Sequence, residues 1–294
     1  MKTLFMKMLP AKLLFVSAVL MAPTGASTVQ AAEAVRPPAE SWTFAGPFGT
    51  FDRAQLQRGF KVYREVCSSC HGLSRVAFRN LAEPGGPGFS EGQIKALAAE
   101  YKINDGPDEA GDMFERAGRP SDRFPSPFPN EQAARASNGG AYPPDFSLLA
   151  KALTYQRGFP DFVFDIFTLY QEQGPDMIHG ILTGYADPPA DVELQPGQNY
   201  NLYFPGHRIA MPPPLADGQV EYPKNAEGNA VVPETVDQYA RDVTAFMMWA
   251  AEPHMEQRKS MGFRVIIFLI VFAVLLYYTK KRIWARAHAD ESHA

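Results

Sequence analysis

The sequence has 294 residues, of which 46 % are hydrophobic and 20 % charged, and its formal net charge is −4. This length allows one large domain or two small ones with a sizeable core. Residues 33–260 carry a net charge of about −10, because both ends of the chain are basic. A body this acidic repels nucleic acid, and it either attracts a basic partner or serves solubility alone.

Residues 1–32 are predicted to form a cleaved secretory signal peptide. Basic residues and the short apolar stretch Leu13–Ala22 are followed by small residues, with cleavage options after Ala31, Ala32 or Ala34. The alternative, a retained N-terminal anchor, needs a longer apolar stretch than this one. The body of the protein is therefore expected to be exported.

Frequent glycine and proline, 23 and 26 residues, indicate a loop-rich body with short helices. Asp52 is a suitable N-cap for a first helix whose apolar face, Leu56, Phe60 and Tyr63, leads to Cys67. Further helices are predicted from Ser90 through Tyr101, from Asn130 through Ala136, after Pro143–Pro144, and at Asp161–Gln171, Pro175–Tyr185 and Thr235–Ala251. Residues 186–233 are expected to be mostly coil, with short strands at Asn201–Phe204 and Arg208–Met211.

The C-terminal region is predicted to cross a membrane once. Val265–Tyr278 is an uninterrupted apolar run, and with its flanking residues it gives a span at 261–279. The basic cluster Lys280, Lys281 and Arg282 follows, and positive charge after a span places residues 280–294 in the cytoplasm. The sequence thus predicts an exported domain at 33–260 that is held by one C-terminal anchor.

The segment "REVCSSCHGL" at 64–73 contains the only two cysteines of the chain, Cys67 and Cys70, and then His71. A redox dithiol normally follows a strand, whereas a helix is predicted here. A zinc site needs four ligands and finds only three, and a two-residue disulfide loop would do little for a domain of this size. Haem attachment explains all three residues, because the thiols bind the haem covalently and the histidine binds its iron.

The iron ligand opposite His71 has two main candidates. Met211 stands in the coil "HRIAMPPPLADG", directly before three prolines that restrict the backbone to extended conformations. His207 lies four residues earlier in the same coil. Met211 is favoured, and a methionine–histidine pair would give the haem a higher potential than two histidines.

Five blocks of sequence, in order along the chain, resemble the cytochrome c1 family. They are "SWTFAGPFGTFDRAQLQRGFKVYREVCSSCHGL" at 41–73, "PSPFPNEQAARASNGGAYPPDFSLLAKA" at 125–152, "GILTGYADPP" at 180–189, "IAMPPPL" at 209–215 and "DVTAFMMWAAEPHMEQRKSMGFRVIIF" at 242–268. Members of this family are the membrane-anchored haem subunits of the ubiquinol–cytochrome c reductase (cytochrome bc1) complex. The resemblance covers nearly the whole chain after the signal peptide and is of the bacterial type.

The resemblance implies a mainly α, class I cytochrome c-like haem domain with loop-rich insertions and one C-terminal transmembrane helix. It implies one haem c, attached to Cys67 and Cys70, with His71 and Met211 as the axial iron ligands. The chain would be an electron carrier between the Rieske iron–sulfur protein and cytochrome c. Cytochrome b would flank the anchor in a dimeric complex of the bacterial inner membrane, with the haem domain in the periplasm.

One departure from the family pattern, at Leu153, and some further features accompany this resemblance. Leu153 stands where relatives usually have an arginine that pairs with a haem propionate, and Arg157 and Arg208 are possible replacements. Residues 154–173 resemble an extra segment of bacterial members, and the second cysteine pair of some relatives is absent, so no disulfide brace is expected.

Two acidic runs are docking candidates for a basic cytochrome c: Asp105, Asp108, Glu109 and Asp112 in one, and Asp187, Asp191 and Glu193 in the other.

Overall fold

The computed structural model describes residues 35–155, 157–168, 170 and 172–291. In chain order, the α-helices are α1 Arg53–Glu65, α2 Glu91–Ala99, α3 Glu131–Ser137, α4 Leu149–Ala152, α5 Asp161–Thr168, α6 Gln173–Thr183, α7 Val236–Ala251 and α8 Met255–Glu291. Two antiparallel strand pairs, β1 Lys102–Asp105 with β2 Phe114–Ala117 and β3 Asn199–Tyr200 with β4 Arg208–Ile209, complete the regular structure together with two 3-10 turns. The described chain is mainly helical, as predicted.

The core of the domain is built where α1 crosses α7. Gly59 is needed at the crossing, because a Cβ there would lie 2.0 Å from the Asp242 carbonyl oxygen. The Phe60 and Phe246 rings meet beside it, with centroids 5.6 Å apart. Arg58 forms a bidentate pair with the buried Asp242 at 2.8 and 3.1 Å, so the one charged contact of this crossing is fully hydrogen-bonded.

The first helix confirms the prediction for the cysteine segment. The Asp52 carboxylate accepts the backbone N–H groups of Ala54 and Gln55, which caps α1 at its N-terminus. Leu56, Phe60 and Tyr63 are buried on its inner face, as expected. The helix ends at Glu65, and a 3-10 turn at Cys67–Ser69 then places the cysteines just beyond it.

Several predicted boundaries were wrong. The helix after Ser90 ends at Ala99 rather than Tyr101, because the chain turns there into a β-hairpin that was not predicted. The helix after Pro143–Pro144 is only one turn, Leu149–Ala152. The Asp145 carboxylate accepts hydrogen bonds from the N–H groups of Ser74 and Ser147, and the chain after Asp145 is therefore held in a turn before the helix begins.

Other elements differ by a few residues. Helix α6 runs from Gln173 to Thr183, two residues ahead of the predicted bounds, and α5 ends at Thr168. The predicted end of α5, Gln171, lies outside the described residues, as does the predicted signal peptide at 1–32. The two short strands are found as a pair but with the bounds Asn199–Tyr200 and Arg208–Ile209.

Helix α8 leaves the domain after a sharp break at Pro253. The N–H of Glu252 closes α7 on the carbonyls of Met248 and Trp249, and α8 then continues for 37 residues. Its segment Met255–Ala285 is long and apolar enough to cross a membrane, and an 18-residue window within it has a mean hydropathy of 2.4 and is not buried against the described chain. The predicted span at 261–279 lies inside this helix.

Candidate haem site

A cavity of about 870 Å³, here called the haem cavity, opens between the cysteine segment, α6, α7 and the coil around Met211. Cys67, Cys70, His71 and Met211 all line it. Its volume lies in the range of ~300–1,000 Å³ that is typical of cofactor sites. The structure therefore brings every residue predicted for haem binding to a single cavity.

The proximal wall is the side that carries His71. The His71 ring nitrogen Nδ1 lies 2.8 Å from the carbonyl oxygen of Pro144. The ring also stacks on Phe146, with centroids 4.2 Å apart and planes 26° from parallel. A donor hydrogen bond from Nδ1 fixes the tautomer and leaves Nε2 with its lone pair, the arrangement found in metal-binding histidines.

The turn that carries His71 is attached to the segment at 144–147. The Phe146 N–H donates to the Gly72 carbonyl at 2.8 Å. A Cβ on Gly72 would lie 2.9 Å from the Asp145 carboxylate, so this close approach needs glycine. Burial raises the pKa of Asp145, but the hydrogen bonds from Ser147 and Ser74 outweigh it, and the pKa is lowered overall. The carboxylate is thus charged, and its hydrogen bonds join the segment after His71 to the segment at 144–147.

The two thiols are free cysteines, and Cys67 is not activated in the way that a redox cysteine is. They are not joined by a disulfide, and burial, with a smaller contribution from Cys70, raises the pKa of the Cys67 thiol to about 12. Redox cysteines instead have a lowered thiol pKa, because the thiolate is the reactive form. Among the described residues no group of three or more His, Cys, Asp or Glu side chains is placed to hold a metal ion.

The distal wall carries Met211 on the coil that follows β4. Two side chains hold its backbone: the Tyr185 hydroxyl and the Asn199 amide both donate to the Met211 carbonyl, at 3.1 and 3.3 Å. The competing candidate, His207, does not line the cavity. Its backbone is left-handed, with φ of 59°, and its ring stacks on Tyr200 at 5.5 Å.

A second methionine contributes its side chain to the cavity wall. Met247 lines the cavity from α7, one turn after Val243, and its side chain is 1 % exposed. The spacing of four residues on a predicted helix could have indicated this shared face. Met247 is also part of the hydrophobic core, whereas Met211 is half-buried at the cavity wall.

The cavity wall is almost free of charge. Leu153 lines it, and no arginine, lysine, aspartate or glutamate does so in the part of the chain that the structure describes. Neither arginine suggested as a cation for this wall reaches it: Arg157 pairs with Asp165 at 2.8 Å, and Arg208 donates to the Glu193 carbonyl at 3.2 Å. The polar lining consists of neutral donors, which are Ser137, Asn138, Tyr142, Gln198 and Asn199.

These residues fit a haem c. The cavity offers two thiols for covalent attachment, an oriented imidazole, a thioether, apolar walls and neutral polar groups. This donor set is typical of c-type haem and not of any other group considered above.

Comparisons with known proteins agree with this site. The model described as "Cytochrome C1 family" matches residues 42–287. The chain is 62 % identical over 254 residues to "Cytochrome b/c1" of Bradyrhizobium diazoefficiens, which covers 86 % of this chain but only 36 % of that longer relative. It is 48 % identical to "Cytochrome c1" of Blastochloris viridis, over 87 % of this chain and 89 % of the relative. It is 42 % identical to the mitochondrial "Cytochrome c1-2, heme protein" of Solanum tuberosum, over 92 % and 94 %.

The family model matches most of the chain, and two of these relatives are matched over most of their own length. These matches classify the chain. They confirm the predicted fold class and the predicted cofactor, haem c, and the chain belongs to the cytochrome c1 family of haem c proteins.

Proposed function

We propose that the protein is the electron-transferring haem subunit of a quinol–cytochrome c oxidoreductase. The observation that carries the proposal is the convergence of Cys67, Cys70, His71 and Met211 on one cavity in a chain of this family. When bound, haem c supplies one-electron redox chemistry. The chain alone is then a carrier, and the complex as a whole is the enzyme.

Each residue has a defined task in this proposal. Cys67 and Cys70 would attach the haem, and His71 and Met211 would bind its iron. The Pro144 carbonyl orients the imidazole of His71 through Nδ1, and Phe146 restricts the rotation of the ring. The apolar walls exclude water, which reduces reorganisation when an electron arrives or leaves and favours the passage of electrons over chemistry on a substrate.

Partners and location follow from the same family. The Rieske iron–sulfur protein would deliver electrons, cytochrome c would accept them, and cytochrome b would pack beside α8 in a dimeric complex. The long apolar helix and the basic residues after it support a single-pass protein of the bacterial inner membrane, with its haem domain in the periplasm and its C-terminus in the cytoplasm. The described chain binds no nucleic acid in this scheme, in keeping with its acidic body.

The two acidic runs differ in their suitability for docking cytochrome c. In the first run, Asp105 pairs with Arg116 and Asp108 accepts N–H groups of its own loop. Both runs contain exposed carboxylates, but only the second, with Asp187 and Glu193, lies in the chain between Tyr185 and Gln198, both next to the haem cavity. The second run is therefore the better candidate, and the rate of cytochrome c reduction should fall as ionic strength rises.

The experiment that tests the proposed function is purification of the tagged full-length protein from its own membranes in mild detergent. A b-type cytochrome and an iron–sulfur protein should copurify, and the preparation should reduce cytochrome c with a quinol. Recovery of the haem protein alone, with no quinol-dependent activity, would favour a stand-alone anchored cytochrome instead.

A second rival, a haem enzyme such as a peroxidase, needs an open or displaceable iron position. The Met211 carbonyl is held by two hydrogen bonds, so the reduced protein should not bind carbon monoxide. Carbon monoxide binding at the level of an open haem would contradict our proposal.

A further inference from the structure

A second cavity, of about 260 Å³, lies where the haem domain meets α8. We call it the junction groove. One of its sides is apolar and includes Phe48, Phe263 and Ile266, and the other is charged and includes Lys151, Arg258 and Lys259. The haem site does not use any of these residues.

The apolar side of the groove continues directly into the candidate membrane span. Phe263 and Ile266 belong to the apolar part of α8 and are 49 % and 57 % exposed. The Phe48 ring, which is 71 % exposed, meets Phe263 edge to face with centroids 5.4 Å apart. Gly262 leaves the groove open between them, because a Cβ there would have no atom within 4 Å.

The charged side is organised around one carboxylate. Lys151 Nζ lies 2.8 Å from Glu252 Oε2, and Arg258 donates to the other oxygen through Nε. Lys259 donates to the carbonyl of Phe44 at 2.6 Å. Three cations thus face two carboxylates, Glu252 and Glu172, and an excess of positive charge remains. The half-exposed guanidinium of Arg258 binds Glu252 through Nε. Its two terminal nitrogens can therefore donate hydrogen bonds to a further oxyanion.

We propose that the junction groove binds one phospholipid of the leaflet that faces the haem domain. Its phosphate lies against Arg258 and Lys151, and an acyl chain lies on Phe48, Phe263 and Ile266. The dimensions agree: Arg258 and Ile266 are eight residues apart, about 12 Å along the helix axis, and the headgroup region of one leaflet is about 5–8 Å thick, so a phosphate at Arg258 places acyl carbons beside Ile266. The excess positive charge favours an anionic lipid such as phosphatidylglycerol.

The size of the groove distinguishes a lipid from a partner helix. A helix with its side chains is ~10 Å across, whereas a groove of 260 Å³ admits a single acyl chain. Along α8 the cations Arg258 and Lys259 precede the apolar residues Phe263 and Ile266, which is the order of groups in a phospholipid at an interface.

The occupant can be identified by photocrosslinking in native membranes. Phe48 is replaced by p-benzoylphenylalanine in the full-length protein, and the same replacement at Phe272, in the middle of the span, reports the bulk lipid. We expect a phospholipid adduct at position 48 that is enriched in phosphatidylglycerol over the adduct at position 272. An adduct with another polypeptide, or a lipid composition equal to that at position 272, would overturn the proposal.

The affinity can be measured with the purified full-length protein in nanodiscs of phosphatidylcholine with increasing phosphatidylglycerol, by the yield of the same adduct. Arg258→Gln should weaken phosphatidylglycerol binding by about fivefold. Arg264→Gln removes the same charge from the same helix outside the groove and should leave the binding unchanged. Equal loss in both variants would mean general surface attraction and would refute a defined site.

Gly262→Leu provides a test that does not depend on charge, because its side chain would fill the groove. The adduct at position 48 should disappear, while the haem spectrum stays as in the wild type and shows that the domain is folded. An unchanged lipid adduct in this variant would contradict the proposal.

Discussion

The two walls of the haem cavity are built by different means. The proximal wall follows directly from a capped helix, and His71 is fixed there by the Pro144 carbonyl, the Phe146 ring and the Gly72–Phe146 backbone contact. The distal wall is a coil, in which Met211 is held through its own backbone carbonyl by Tyr185 and Asn199. On the proximal wall the His71 ring itself is contacted, by a hydrogen bond and by a stacked ring, whereas on the distal wall the hydrogen bonds reach the Met211 backbone carbonyl.

This difference has a consequence for function. A ligand that is fixed by several independent contacts tolerates the loss of any one of them. A ligand on a coil depends on a few hydrogen bonds, and local opening of such segments costs less than global unfolding. The distal ligand is therefore expected to be the first to be released when the protein is perturbed.

The largest effect is expected from Met211→Leu. Loss of the thioether should lower the haem potential by on the order of 0.2 V, a fraction of the ~0.8 V range over which axial ligands set haem potentials. The reduced variant should also bind carbon monoxide. Potentiometric titration and carbon monoxide difference spectra of the full-length protein measure both effects.

Met247→Leu is the matched control, because it removes a second thioether from the same cavity. It should leave the potential and the carbon monoxide result unchanged and destabilise the core only slightly. A fall in potential in Met247→Leu, with none in Met211→Leu, would reverse the proposed ligand assignment.

The next effect is expected on the proximal wall, from Phe146→Ala. Phe146 is 8 % exposed and stacks on His71. Deletion of its ring should lower the free energy of unfolding by about 3 kcal/mol, while the iron keeps both ligands. Thermal unfolding of the detergent-solubilised protein, followed through the haem absorbance, measures the loss. Release of His71 at a temperature where the domain is still folded would show that the stack, and not the Pro144 bond, holds the ligand.

A smaller effect is expected when the same substitution, Tyr→Phe, is made once in each wall. Tyr63 donates to the carbonyl of His71 at 3.2 Å, and Tyr185 donates to that of Met211 at 3.1 Å. Tyr→Phe removes one neutral hydrogen bond in each case, about 1 kcal/mol. Tyr185→Phe should weaken the sulfur-to-iron charge-transfer band at elevated temperature, and Tyr63→Phe should not. Equal sensitivity of the two variants would mean that the walls do not differ.

The same contrast explains what the sequence could predict. The Asp52 cap and the apolar spacing of α1 are local signals, so the position of the cysteine segment was predictable. The bond from His71 to Pro144 joins residues 73 positions apart, and those from Tyr185 and Asn199 to Met211 join loops, and no periodicity encodes such contacts. The one-turn α4 was overpredicted because its apolar pattern gave no sign that Asp145 would hold the chain in a turn.

The smallest expected effect concerns the charge-free lining that both walls share. Leu153→Arg would add a cation to the cavity wall, and Leu153 is half-buried, so a longer side chain can extend along the wall. A nearby positive charge stabilises the reduced haem, and the potential should rise by on the order of 30 mV, less than 1 kcal/mol for one electron. Leu153→Gln matches the length and polarity without the charge and should leave the potential unchanged. If both variants shift the potential equally, polarity is responsible, and if neither does, the neutral donors of this cavity already compensate the haem carboxylates without a cation.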